Sequence, residues 1–262
     1  MDYKLTDPKD KALADAIQKM DCGRGLGYAN LFEEFLDVAL CMMCNNPNPH
    51  QIELATRLNE DKNYNQAFIN ALEAYGTAAE GYHDPLGDVY MDKISHGHLD
   101  QFFTPEGMAI LLARICGNDY NNCNDPTCGS GRMLLAGLKL ARENGVEPWI
   151  YGEDLSYTCI KMATLNMLIQ QARGVLRCGD TLKYEQDKMI YFQIERVFNQ
   201  AGQVVSTYWQ YVPSEIDELR EKVTAWRYAL TQVGCTPEIP KWPFYLKTKK
   251  EDPQEVGQLT LF

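Results

Sequence analysis

Apolar residues recur at helical spacing through the first hundred residues, and then the pattern breaks into short strands and helices in alternation. From Ala29 to Cys44, the residues Leu31, Phe32, Phe35, Leu36, Val38, Ala39 and Met42 follow a 3.6-residue period, which stops at Asn-Asn-Pro-Asn-Pro. Asn63 to Glu80 predicts another helix, with Phe68, Leu72 and Tyr75 on one face. Gly81 to Ser95 reads as a turn built on His83-Asp84-Pro85-Leu86-Gly87. No strand-like alternation occurs in this part of the chain.

The change comes after Gly97. Thr104-Pro105-Glu106 predicts a helix running to Cys116, with Thr104 as its cap and Pro105 in its first turn. A short strand leads to Asp125, a glycine-rich turn follows, and Arg132 to Glu143 is helical. Trp149 to Gly152 reads as a strand, Ser156 to Ala172 as a helix, and Val175 to Cys178 as a strand ending at Gly179-Asp180. These units in succession predict an α/β fold with a mostly parallel sheet flanked by helices. Met189 to Phe198 and Gln203 to Trp209 fit strands, and Pro213 to Gln232 fits a helix. From Cys235 onward proline and lysine predict an extended tail. The expected organisation is a helical segment (1–95), an α/β domain (96–234) and a tail (235–262).

Composition narrows the class. A chain of 262 residues can bury a full core, and no apolar run approaches the roughly 18 residues that cross a bilayer. The polar start MDYKLTDPKDK lacks the apolar stretch of a secretion signal, so the expected location is the cytoplasm and the nine cysteines are expected as thiols. Cys41-Met-Met-Cys44 has the spacing of a metal or redox pair, but it falls inside a helical apolar pattern without a second pair. Core packing is the expected role, and no metal is expected. Lysine and arginine number 25 against 36 acidic residues, a formal charge of −11. Phosphate neutralisation supplies most non-specific affinity for DNA, so this chain is expected to hold DNA poorly without a partner.

The chemistry concentrates in Asp125-Pro126-Thr127-Cys128-Gly129-Ser130-Gly131. A strand ending in Asp-Pro, followed by Gly-x-Gly at a helix start, brings backbone close to a ligand at the carboxyl edge of the sheet. Asp154 ends the next strand, where a carboxylate accepts the two hydroxyls of a ribose. Asp180 ends the strand after that and is placed to accept from an exocyclic adenine amine. Acids on three consecutive strand ends predict a nucleoside site without a phosphate. Two alternatives stand: Glu153 as the ribose acid, and Asp180 as the cap of its own turn.

Gln101-Phe102-Phe103-Thr104-Pro105, followed by Asp-Pro-Thr-Cys-Gly-Ser-Gly-Arg-Met-Leu-Leu, resembles the adenine-N6 DNA methyltransferases, notably the modification subunits of type I restriction systems. The resemblance runs from about Asp84 to Leu182. It implies a Rossmann-like S-adenosylmethionine-dependent methyltransferase core and DNA as substrate, with restriction-modification subunits as partners. Phe103, Thr104 and Pro105 would pack around the methionine part of the cofactor. Asp125 with Gly129, Ser130 and Gly131 would hold its amino-acid end, while Asp154 would bind ribose and Asp180 the adenine amine. Arg132 stands where the family commonly has a small residue.

The family's Asn-Pro-Pro-Tyr or Asn-Pro-Pro-Phe motif, which holds the target amine and stacks on the flipped base, does not occur after Asp180. Asn199, in Val197-Phe198-Asn199-Gln200, is the nearest candidate for that role. The readings are therefore an adenine-N6 DNA methyltransferase, active or partner-dependent, and a catalytically silent cofactor-binding relative acting as an interaction module. A small-molecule methyltransferase is the third. Finally, Gln258-Leu259-Thr260-Leu261-Phe262 resembles the peptide with which bacterial polymerases and repair proteins dock on the DNA sliding clamp. There Leu261 and Phe262 would fill an apolar pocket, Leu259 would add area and Gln258 would bond at the rim.

Overall fold

A computed structural model describes residues 3–95, 103–117, 120–183 and 189–238. The N-terminal part is helical, and three of its first four helices start at side-chain caps. Asp7 accepts from the Lys9 amide ahead of α1 (Pro8–Lys19), and α2 spans Tyr28–Met43. Asn48 and Gln51 form a capping box at α3 (Pro49–Glu60), and Asp61 caps α4 (Lys62–Ala78). The segment expected as a turn between 81 and 95 is largely helical. Asp84 accepts from the Gly87 amide, Pro85 takes the first position of α5 (Pro85–Tyr90), and a π turn continues to Ser95. α6 covers Glu106–Cys116. Its N-cap is Pro105 and no side chain caps it, which corrects the expectation that Thr104 would do so.

Strands and helices then alternate: β1 (Asn122–Asp125), α7 (Arg132–Glu143), β2 (Trp149–Asp154), α8 (Tyr157–Ile169) and β3 (Gly174–Cys178). A hairpin of β4 (Ile190–Phe198) and β5 (Val204–Tyr211) follows, then α9 (Ile216–Gln232) and β6 (Thr236–Glu238). The sheet order is β1-β2-β3-β4-β5. β1, β2 and β3 are parallel, whereas β4 runs antiparallel to β3, β5 and β6. The stretch expected as a tail thus begins with a strand, which pairs with residues 196–198 of β4. Residues 239–262, including Gln258, Leu259, Leu261 and Phe262, lie outside the described residues, as do Gln101 and Phe102.

Side-chain alternation sorts the two faces of the sheet. Ile150, Leu176, Phe192 and Ile194 face α7 and α8, joining one apolar cluster with Leu134, Leu138, Met162 and Leu165. Phe32, Phe35 and Phe68 of the N-terminal helices belong to the same cluster, so the helical segment and the sheet share a core. α8 lies between them and is buried throughout from Cys159 to Leu168, which is why its apolar residues are not confined to one face. On the other face, Leu219, Val223 and Trp226 of α9 pack on Tyr191, Trp209 and Tyr211. Each buried Leu or Phe contributes about 1.5–3 kcal/mol. A one-residue slip would expose a whole set of them, and this fixes the register that places the strand ends. Among the described residues no helix is long and apolar enough to cross a membrane.

Candidate functional site

Parallel register aligns the carboxyl ends of three strands. Asp125 lies opposite Gly152, and Asp154 opposite Cys178, so Asp125 and Asp154 end neighbouring strands at one edge of the sheet, with Asp180 two residues beyond β3. The Thr181 hydroxyl donates to the Pro126 carbonyl at 2.8 Å, so the turn after β3 reaches across the end of β2 to the turn after β1. This encloses the end of β2 between the other two turns.

The turn after β1 is shaped by glycine. Gly129 and Gly131 have φ of +53° and +88°, a region that side chains disfavour. A Cβ on Gly129 would lie 2.9 Å from the Phe103 ring, and one on Gly131 would lie 3.2 Å from Ala163 of α8. Phe103 therefore sits directly over the turn, with Tyr90 beside it at 5.9 Å between ring centroids.

Asp154 organises the edge. One carboxylate oxygen accepts the Gly129 amide at 2.9 Å and the other accepts the Ser156 amide at 2.8 Å. Each oxygen keeps a further lone pair for a ligand hydroxyl. Glu153, the alternative ribose acid, points to the opposite face, where it is buried in an ion pair with Arg177. Asp125 accepts the Thr127 amide at 3.0 Å. Burial, with Asp154 nearby, raises its carboxyl above the usual range despite that hydrogen bond. Asp180 accepts the Leu182 and Lys183 amides at 3.0 and 3.3 Å, so it does cap its own turn while standing at the same edge.

Three further placements refine the sequence reading. Ser130 is fully buried and its hydroxyl donates to Asp84, so its side chain is committed to the fold and does not face a ligand. Leu155 and Leu182 were not singled out in the sequence, yet they are 73% and 96% exposed beside Asp154 and Asp180. The signal was available: each is an apolar residue one or two positions after a strand-end acid. Cys128, Cys159 and Cys178 surround the same edge, and burial pushes the Cys159 and Cys178 thiols up to about 12 and about 11 and Cys128 well above its usual range. These groups are thiols at neutral pH, which argues against thiolate chemistry.

Asn199 lies elsewhere. It sits in the β4–β5 turn, where its side-chain oxygen accepts the Ala201 and Gln203 amides at 3.0 and 2.9 Å. Because β4 runs antiparallel to β3, its end reaches the edge opposite Asp125 and Asp154. This corrects its assignment to the transfer site. Of the Cys41-x-x-Cys44 pair, Cys41 is on α2 and Cys44 bridges to Tyr208 of β5.

A charged cluster borders the Phe103–Pro105 segment on its N-terminal side. His83 Nε2 is 3.1 Å from Asp10 of α1 and 3.5 Å from Asp88 of α5, and Nδ1 is 3.2 Å from Glu106 of α6. The hydrogen bond to Asp10 chiefly raises its pKa, to about 9 from 6.5, against the effect of burial. A folded-state value above the unfolded one gives stability that is complete below about pH 6.5 and is lost as pH rises through about 9. Urea midpoints of the unmodified protein should therefore fall across that interval, and those of His83→Gln should be flatter. Parallel curves would remove His83 from the cause.

Residues 82–210 match the model of the N-6 DNA methylase family. The type I restriction enzyme MjaIX methylase subunit of Methanocaldococcus jannaschii is 28% identical over 93 residues, which are 34% of this chain and 16% of that protein. The MjaVII methylase subunit of the same organism is 24% identical over 183 residues, 65% of this chain and 29% of that protein. Among solved structures, a Listeria monocytogenes protein described as a class I S-adenosylmethionine-dependent methyltransferase aligns with a TM-score of 0.41 at 13% identity, over 66% of this chain and 53% of that one. The methyltransferase subunit of a Streptococcus thermophilus type I restriction-modification system gives 0.34 at 21% identity, over 71% and 42%. The architecture is α/β, a sheet flanked by helices. The matched region resembles the adenine-N6 methylases, specifically the modification subunits of type I systems, and the chain spans less than a third of the length of the two curated relatives.

Proposed function

We propose that this chain binds S-adenosylmethionine at the carboxyl edge of β1, β2 and β3 and serves adenine-N6 methylation of DNA. The observation that carries the reading is the set of acids around a glycine turn: Asp125, Asp154 and Asp180 stand where a phosphate site would carry cations. Arg132, next to the turn, is directed inward to Asp84 and Asp88, and the exposed Lys183 pairs with Asp180 at 3.4 Å. That arrangement suits a nucleoside bearing a cationic, phosphate-free substituent. The positive-φ turn has no side chain between its backbone and Phe103, a close approach that fits the amino-acid end of this cofactor.

Bound there, the cofactor supplies a methyl group on a positively charged sulfur, electrophilic toward an amine. Asp154 would accept from the ribose hydroxyls with its remaining lone pairs, and Asp125 from the ammonium group. Amides at the start of α7 would meet the carboxylate, and Asp180 would accept from the adenine amine. Leu155 and Leu182 would shield the base from water, as their exposure at this edge suggests. Phe103, Thr104 and Pro105 would cover the methionine part.

The charge of −11 supports dependence on another polypeptide for DNA approach. Restriction-modification subunits fit that part by resemblance. Docking on a sliding clamp through Gln258, Leu259, Leu261 and Phe262 rests on the sequence alone. Transfer of radiolabelled methyl groups to unmethylated genomic DNA, with the chain alone and with proteins encoded beside it, tests the reading. The expected result is cofactor binding by the chain alone and N6-methyladenine only in the combined reaction. Binding without transfer in any combination would favour a silent interaction module, and absence of binding would remove the cofactor.

A further inference from the structure

A buried polar node joins the N-terminal helices to both sides of the cofactor edge. Asp84, 2% exposed, receives four donors. One oxygen accepts the Gly87 amide at 2.9 Å and Asn166 Nδ2 at 2.7 Å; the other accepts the Ser130 hydroxyl and, at 3.1 Å, Arg132 Nε. Asn166 Nδ2 is also 2.9 Å from the Ser130 carbonyl. Arg132 extends the node in two directions, donating from Nη2 to Asp88 at 2.7 Å and from Nη1 to the Thr104 carbonyl at 3.2 Å. Only glycine permits this approach at position 87, where a Cβ would lie 2.1 Å from Asp84 and 2.6 Å from the Ser130 hydroxyl oxygen.

Burial opposes charge on Arg132, but Asp84 and Asp88 outweigh it and hold the guanidinium protonated. A buried cation with three acceptors fixed on two segments is costly to displace. The planar guanidinium matches that geometry, whereas a lysine ammonium reaches the acceptors one at a time. Ser130 and Thr104 belong to the two segments that flank the proposed ligand, and they are otherwise 26 residues apart in sequence.

We infer that Asp84 and Arg132 are positioning residues, which lock the Gly129–Gly131 turn and the Phe103–Pro105 segment in their receiving orientation before the cofactor arrives. The inference rests on the cofactor reading given above. Ordering the two segments in advance removes that cost from binding. It also gives the N-terminal helices a part in the site, since Asp84 and Asp88 belong to α5 and its cap.

Full-length Asp84→Asn and Arg132→Lys test it by three measurements: urea unfolding, amide exchange followed by mass spectrometry, and titration with S-adenosylmethionine where each form is folded. Arg132→Lys keeps the charge and serves if Asp84→Asn does not fold. The expected result is faster exchange confined to residues 103–108 and 127–132, with α2 and α8 protected as before. Affinity should fall by about tenfold, the scale of one lost charge-assisted hydrogen bond. Unchanged exchange in both segments, or exchange that rises equally in α2 and α8, would overturn the positioning role. Segment-specific release in a chain whose unmodified form binds no S-adenosylmethionine would instead overturn the cofactor reading alone.

Discussion

Asp154→Ala is expected to weaken S-adenosylmethionine binding by about one to two orders of magnitude. A charged acceptor to ligand hydroxyls contributes about 1.5–3 kcal/mol, and about 1.4 kcal/mol is tenfold in affinity. The loss should lie toward the upper end, because Asp154 also holds the Gly129 and Ser156 amides. Alanine therefore removes a ligand contact and loosens the turn that forms the other wall. Asp154→Asn keeps one acceptor and should fall between the two. Titration calorimetry decides this, and unchanged affinity in the alanine variant would remove Asp154 from the site.

The neighbouring acid should behave in the opposite way. Glu153→Ala takes the carboxylate from a buried ion pair with Arg177 on the far face of the sheet. Breaking such a pair from one side costs about 3–5 kcal/mol, since the remaining charge stays in a poorly solvated place. Urea unfolding should show a loss of that size, while the folded fraction keeps its cofactor affinity within about threefold, the range of a change that makes no ligand contact. A variant with normal stability and strongly reduced binding would exchange the roles assigned to Glu153 and Asp154.

This contrast shows what the sequence could convey. Strand-end acids and the glycine turn were legible because each is a local signal: a short apolar run, then Asp, then residues tolerant of positive φ. The helix-and-strand order from Glu106 to Cys178 was legible for the same reason. Direction was not. Asn199 follows a well-predicted strand, yet pairing β4 antiparallel to β3 carries it to the wrong edge, and no local residue encodes that choice. β6 was hidden similarly, since Thr236-Pro237-Glu238 becomes a strand only through its distant partners in β4.

The start of α6 failed for another reason. Thr104-Pro105 has the form of a cap and first turn, but Arg132 holds the Thr104 carbonyl from 28 residues away, and the helix begins after Pro105. Asp84-Pro85 carried a true cap signal that was absorbed into a turn, because α5 is short and Gly87 weakens its helical pattern. Buried polar contacts of this kind combine residues from several elements. They are the part of the site that periodicity does not show.

S-adenosylmethionine is expected at the carboxyl edge of the three parallel strands. Amide exchange of the unmodified protein, with and without saturating S-adenosylmethionine, tests it most directly. Added protection is expected in the turns at residues 103–108, 126–131, 154–157 and 179–183, and none in the β4–β5 turn around Asn199. Protection absent from those four turns, or centred on the hairpin and α9, would contradict it.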